Sequence, residues 1–181
     1  MKNSIANKLS VLAGKKNFLV NVDIKKFQKI YPVIIRLMVR KKKDRGIYIS
    51  FNKSLPEIKL ILGKAKAEPE RFFIIDAVSK SARGDERNNY CLDGPESLTQ
   101  LSIILTQLMK TKKYDCILFD NLSSFLIYQD LEIVKRFIHY LIGKLQYYEM
   151  RGVFLSLNDK RSKELLEVIS PFFDKRIDLT K

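Results

Sequence analysis

Tryptophan is missing from this 181-residue chain, histidine occurs once and cysteine twice. One imidazole, His139, and two thiols, Cys91 and Cys116, are too few for a zinc centre. Cys116 lies inside an apolar run and reads as a small buried hydrophobe, while Cys91 lies in a polar stretch. A disulfide between them does not suit a reducing compartment. His139 falls in a helical pattern and reads as a surface or half-buried side chain. No apolar run reaches the roughly 18 residues that a membrane span needs. Residues 1–16 lack the layout of a signal peptide, because their apolar members are scattered. Nucleophile elbows, CxxC pairs and HExxH helices do not occur. The expectation from these absences is a cytoplasmic protein with no metal and no membrane partner.

Hydrophobic residues make up 46% of the chain and charged ones 30%, the mixture of a globular protein. The length suits one domain over 1–181, with its core at about 17–179. The net charge of +14 is unevenly placed. Residues 1–71 hold 18 Lys and Arg against 5 Asp and Glu, whereas residues 72–181 hold 16 against 15. The densest cluster is Arg40, Lys41, Lys42, Lys43 and Arg45, interrupted only by Asp44. Such a patch binds phosphate polyanions or an acidic partner. A solvated, lysine-rich helix end gives the same pattern, because cations favour a helix C-terminus.

Strand and helix patterns alternate along the chain. Residues 18–22 read as a strand. Ile30, Ile34, Leu37 and Met38 recur at helical spacing, which predicts a helix over 29–40. Pro32 then sits in its first turn, where a missing N–H costs little. That leaves 21–28 as the strand-to-helix connection. A second strand is expected at 47–51, and a helix from Ser54 or Asn52 to Leu62, stopped at Gly63. A third strand covers 72–78. Residues 79–94 are polar and read as a long loop. Helices over 95–110, 131–149 and 162–170 alternate with strands at 115–120 and 152–157. The last strand, 172–179, alternates as an edge strand does, and an antiparallel sense is allowed there. Continuously apolar strands belong in sheets covered on both faces. The predicted architecture is therefore an α/β three-layer sandwich with a mainly parallel sheet. In such sheets ligands bind beyond the carboxyl ends of the strands.

The run from Asp115 to Asp120 ends four apolar residues on a carboxylate, with Asn121-Leu122-Ser123-Ser124 after it. It resembles the Walker B strand of the RecA superfamily, particularly the archaeal KaiC/RadA-like ATPase domains. Arg45 to Ser54 resembles that family's second strand, and Phe172 to Leu179 its terminal strand. The likeness covers about residues 17–179 and implies a RecA-like P-loop NTPase sheet. It also implies that Asp120 stands where the family holds Mg²⁺.

The departures fall on the chemistry. The pattern G-x-x-x-x-G-K-[ST] is not in the chain, and no glycine lies between Gly14 and Gly46. Laid against the family, the degenerate phosphate-loop position is Asn21, Val22, Asp23, Lys25, Lys26, Phe27, Gln28 and Lys29. A phosphate nest needs inward N–H groups, often through positive φ. Val22 and Phe27 resist that geometry, and Asp23 adds charge of the wrong sign. The resemblance puts a catalytic glutamate at Asn52 and Lys53, where this chain has an amide and a cation. Phosphoryl transfer rests on positioning and charge stabilisation, so the two losses together imply a pseudo-ATPase.

The resulting expectation is a catalytically inactive RecA/KaiC-like homologue, with no cofactor, that acts as a binding or regulatory module. Its partner would be a related ATPase or a second copy. A rival reading is a nucleotide-binding ATPase with an unconventional loop, taking ATP and Mg²⁺ through Lys25, Lys26 or Lys29. A third is a DNA-binding accessory protein of recombination or repair, using Arg40, Lys41, Lys42, Lys43 and Arg45, with Arg83 and Arg87 from the polar loop. Asp76 and Asp120 could also form a carboxylate pair. The aromatic pairs Tyr147-Tyr148 and Phe172-Phe173 could stack on single-stranded bases, although the sequence does not align either with the basic cluster.

Overall fold

The computed structural model describes residues 8, 9, 12, 16–79 and 88–180. Seven strands form one sheet: β1 (Asn17–Val22), β2 (Gly46–Ser50), β3 (Phe72–Asp76), β4 (Asn89–Cys91), β5 (Cys116–Asp120), β6 (Arg151–Leu157) and β7 (Lys175–Leu179). Their order is β4-β3-β2-β5-β6-β1-β7, and every pairing is parallel. Among the described residues six helices of full length cover it: α1 (Ile24–Met38), α2 (Leu55–Lys64), α3 (Leu98–Lys110), α4 (Leu122–Tyr128), α5 (Leu131–Tyr147) and α6 (Lys160–Ile169). The predicted three-layer α/β sandwich is the observed one.

Alternation within the strands builds two apolar layers. Val20, Tyr48, Ile74, Leu118 and Leu155 face α1 and α2, together with Ile34, Ile35, Ile58 and Leu62. Leu19, Ile49, Ile75, Phe119 and Phe154 face the other four helices. β1, β2 and β5 are buried on both faces, which is why residues 18–20, 47–49 and 116–119 read as apolar runs. Among the described residues, no helix is long and apolar enough to cross a membrane.

Four expectations need correction. β7 is an edge strand but runs parallel to β1. Helix α6 carries the chain back across the sheet after β6, so the next strand must enter in the same sense. The alternation of β7 reflects one exposed face, not an antiparallel partner. The polar stretch after β3 contains β4, three residues long and too short to show a period. Helix α4 follows Asp120 almost at once, in the stretch 121–130 for which no element is expected. Finally, α1 begins at Ile24, not at residue 29.

The start of α1 follows from its cap. The Asp23 carboxylate accepts the Lys25 N–H at 2.8 Å, the bond an N-cap side chain makes. From there Phe27, Ile30, Tyr31, Ile34 and Ile35 run along one face, and the Phe27 and Tyr31 rings stack at 4.8 Å. Pro32 is consequently an interior helix residue. Helix α2 starts as read: Ser54 and Glu57 form a capping box, with Ser54 N–H donating to Glu57 Oε2 at 2.8 Å.

Two guanidinium groups fix the opposite edge. Arg71 donates to the carbonyls of Asp44 (Nε, 3.0 Å) and Val39 (2.9 Å), and Arg151 pairs with the Asp44 carboxylate at 3.4 Å. The turn between α1 and β2 is thereby held at the amino ends of β2, β5 and β6. Cys91 and Cys116 are free thiols. Burial pushes the Cys116 thiol up to about 11, so it stays protonated as an apolar filler.

Candidate functional site

The carboxyl edge carries the ends of the strands: Val22, Ser50, Asp76, Asp120 and Leu157. The segment assigned to a degenerate phosphate loop forms no loop. Asn21 and Val22 are buried in β1, in register with Ser156 and Leu157 of β6. Asp23 is the single linking residue, and Lys25, Lys26, Phe27, Gln28 and Lys29 already belong to α1. The steric argument from Val22 and Phe27 is thus overtaken: β1 passes into α1 with no turn to wrap a phosphate. Lys25 and Lys29 project into solvent, and Lys26 is half-buried.

Asp120 is the centre of the edge and is fully buried. One of its oxygens, Oδ2, receives three donors. The Tyr48 hydroxyl donates at 2.7 Å, the Lys53 ammonium donates at 2.7 Å, and the Tyr31 hydroxyl donates as well while touching that of Tyr48. Each donor comes from a different element. Tyr31 is on α1, one turn past Phe27; Tyr48 is on β2, beside Leu118 of β5; Lys53 is in the turn between β2 and α2. Ser50 positions that turn, because its Oγ accepts the Lys53 N–H at 2.9 Å. The Lys53 side chain is 16% exposed, and its ammonium lies 5.3 Å from the Phe27 ring centroid and 5.2 Å from that of Tyr31. Asn52 Oδ1 accepts from the same ammonium at 3.1 Å. The ammonium is thus held by a carboxylate, an amide oxygen and two ring faces.

The residue sets named from the sequence meet only in part. Asn52, Lys53 and Asp120 come together, and the start of α1 contributes Phe27 to the same group. Asp76 does not pair with Asp120, because β2 lies between their strands. Its carboxylate instead accepts from the amides of Leu55, Val78 and Ser79 at 2.7 to 2.9 Å. Arg40, Lys41, Lys42, Lys43 and Arg45 lie at the other edge, a strand length of about 13 Å from Asp120. Arg83 and Arg87 lie outside the described residues. Sequence reading missed the roles of Tyr31 and Tyr48. A tyrosine in the middle of an apolar strand is itself a signal, because a buried hydroxyl must find a partner.

A Mg²⁺–phosphate group does not fit this arrangement. A metal would need an oxygen of Asp120, yet Oδ2 already holds three donors, one of them a cation. Asn121 fills the next position: its Oδ1 caps α4 through the Ser124 amide at 2.9 Å, and its Nδ2 faces Asp120 Oδ1 at 3.4 Å. Beside the ammonium, a cleft of about 490 Å³ opens between α1 and α2, lined by Gln28, Pro32, Asn52, Ile61, Lys64 and Asn121 among others.

Burial, and secondarily the Asp120 charge, hold the Tyr48 hydroxyl well above the ordinary tyrosine range. The neutral phenol is therefore the form that folding favours. The stability it contributes is intact below the unfolded value of about 10 and is lost as pH rises from there toward the raised folded value. Alkaline unfolding is expected to begin near pH 10, and Tyr48→Phe to flatten it when urea midpoints are compared between pH 8 and 11. Parallel profiles for the two proteins would remove Tyr48 from the cause.

Solved structures share this architecture widely: 169 chains match it. One is the KaiC-like protein of the hyperthermophilic archaeon Pyrococcus horikoshii OT3, with a TM-score of 0.64 over 91% of this chain and 70% of that one. At 8% identity that likeness shows a RecA-like fold and no more. No curated protein sequence matches. A family model matches residues 56–179, a span that holds Asp120 but begins just after Lys53, and the chain belongs to that family, the family of unknown function DUF7504.

Proposed function

We propose that this chain is a catalytically inactive RecA/KaiC-like module that works by binding. The observation that carries the reading is the lysine ammonium on Asp120: an internal cation stands where the resemblance puts Mg²⁺. The direct passage of β1 into α1 supports it, since no turn is left to cradle a triphosphate. On this reading Lys53 does for the fold what a metal does in an active relative. It neutralises the buried carboxylate and ties β2, β5 and α1 together. Lysine provides that charge permanently, without nucleotide, and the edge is locked in one state. The partner on this reading is a related ATPase or a second copy. Light scattering of the purified chain separates these two, because only self-association raises the mass with concentration.

Calorimetric titration with ATP and Mg²⁺ tests the reading. No binding tighter than roughly 100 μM, about −5.5 kcal/mol, is expected. Tighter binding would favour the rival nucleotide-binding reading. The cleft of about 490 Å³ gives that rival its footing, since ligand sites commonly span about 300–1,000 Å³. Under the rival, Lys25→Ala, Lys26→Ala or Lys29→Ala weakens nucleotide binding, while under the proposed reading there is none to weaken.

A further inference from the structure

The amino edge of the sheet carries a second concave site, independent of the Asp120 cluster. A groove of about 610 Å³ opens there, and its walls include Lys41, Lys112, Tyr114, Tyr147 and Tyr148. Three segments far apart in sequence meet at it. The Asp115 amide donates to the Arg45 carbonyl at 2.8 Å, and the Arg151 amide donates to the Asp115 carbonyl at 3.1 Å, so the entries to β2, β5 and β6 lie side by side. Segments 40–45, 110–115 and 144–151 together hold ten Lys and Arg against three Asp and Glu. The fold thus brings the aromatic pair to the same groove as one member of the basic cluster, Lys41, which the sequence alone did not.

The three carboxylates, Asp44, Asp115 and Glu149, also line the groove, and the first two are engaged by neighbouring protein groups. Asp44 pairs with Arg151 at 3.4 Å and accepts the Lys41 amide at 2.9 Å; Asp115 accepts the Arg45 amide at 2.8 Å. Lys41 and Lys112 are exposed and form no ion pair among the described residues. The C-termini of α1, α3 and α5 also lie at this edge, and their dipoles account for some of the lysines. They do not account for Tyr147. Its side chain is 79% exposed, and its ring stands edge-on to that of Tyr148 at 4.9 Å. An aromatic face held in water beside unpaired cations matches one chemistry better than others: unstacked bases on a phosphate chain.

We propose that this groove binds single-stranded nucleic acid, with a base on Tyr147 and phosphates on Lys41 and Lys112. A duplex fits less well, because its bases are stacked inside and cannot reach a lone ring. An acidic peptide would use the lysines and leave the ring idle. The turn that presents Lys41 is clamped by Arg71 and Arg151, so the backbone that carries this lysine is held before the ligand arrives.

Fluorescence anisotropy of a labelled, mixed-sequence 20-nucleotide single strand, titrated with the full chain, tests the assignment. The single strand is expected to bind at least tenfold more tightly than a duplex of the same length. Tyr147→Ala is expected to weaken it about tenfold, within the range of one lost stacking contact, while Tyr147→Phe keeps it. Because Tyr147 is so exposed, neither change threatens folding. Lys41→Ala with Lys112→Ala should reduce the slope of log affinity against log salt by about 1.4. Equal binding by Tyr147→Ala and wild type, a duplex bound as tightly as the single strand, or no binding at low salt would each overturn the proposal. Competition by polyglutamate that is indifferent to Tyr147 would do the same and point to an acidic protein. These outcomes are independent of whether the chain binds ATP.

Discussion

Phe119→Ala is expected to lower the free energy of unfolding by about 4 kcal/mol. Phe119 is fully buried near the carboxyl end of β5, and its ring centroid lies 5.3 Å from Phe51, 5.4 Å from Phe125 and 5.6 Å from Phe154. Four elements meet there: the end of β2, the end of β5, helix α4 and strand β6. Removing the ring leaves a cavity that rigid aromatic neighbours close poorly, so the cost belongs at the upper end for a large-to-small change. Offset and edge-on ring pairs add about 0.5–1.5 kcal/mol each beyond the area buried. Against a total stability of about 5–15 kcal/mol, one substitution then removes a large fraction. The consequence reaches the carboxyl edge, because Phe119 immediately precedes Asp120 and Phe51 immediately precedes Asn52. A shift in this cluster moves both halves of the Lys53–Asp120 pair. Urea unfolding followed by circular dichroism checks the number. A loss below about 1 kcal/mol would mean that the rings pack as separate contacts and not as one body.

The sheet was legible because its strands are covered on both faces and write themselves as apolar runs. Asp120 was legible because a carboxylate at the end of such a run breaks the pattern. Where the reading failed, two local rules competed. Pro32 favoured a first-turn position, and that preference moved the start of α1 five residues too far along. The cap at Asp23 and the stripe from Phe27 to Ile35 pull the other way. They prevail because a long apolar face and a satisfied first turn together outweigh one backbone hydrogen bond lost at Pro32. Strand β4 could not be read at all, since three half-exposed residues carry no period. The partners of Asp120 were hidden for another reason. Tyr31, Tyr48 and Lys53 are spread over 23 positions of sequence, and only the register of β2 against β5 and the packing of α1 on the sheet bring them together. The same holds at the opposite edge, where Lys41 and Tyr147 are neighbours only once β6 is seated beside β5.

Lys53→Met is expected to destabilise the chain by about 3 kcal/mol, the lower end of what breaking a buried ion pair costs. The lower end applies for two reasons. The Lys53 side chain is 16% exposed, so part of its charge was never taken out of water. Tyr31 and Tyr48 also continue to donate to the carboxylate after the ammonium is gone. What they cannot supply is a counter-charge, and a fully buried carboxylate without one is the costly state. The reverse change, Asp120→Asn, should cost less, about 1–2 kcal/mol. An amide oxygen still accepts from the tyrosines, and the freed ammonium can turn toward the cleft and water. Combining Lys53→Met with Asp120→Asn removes both charges, so the double variant should be less unstable than the two single losses summed. The difference, read from urea midpoints as a double-mutant cycle, is expected at about 2 kcal/mol, within the range of directly contacting groups. Strict additivity would mean that Lys53 and Asp120 do not act on each other in solution. The inactive reading would then lose its footing, because a lysine that is not bound to Asp120 leaves that carboxylate open to a metal.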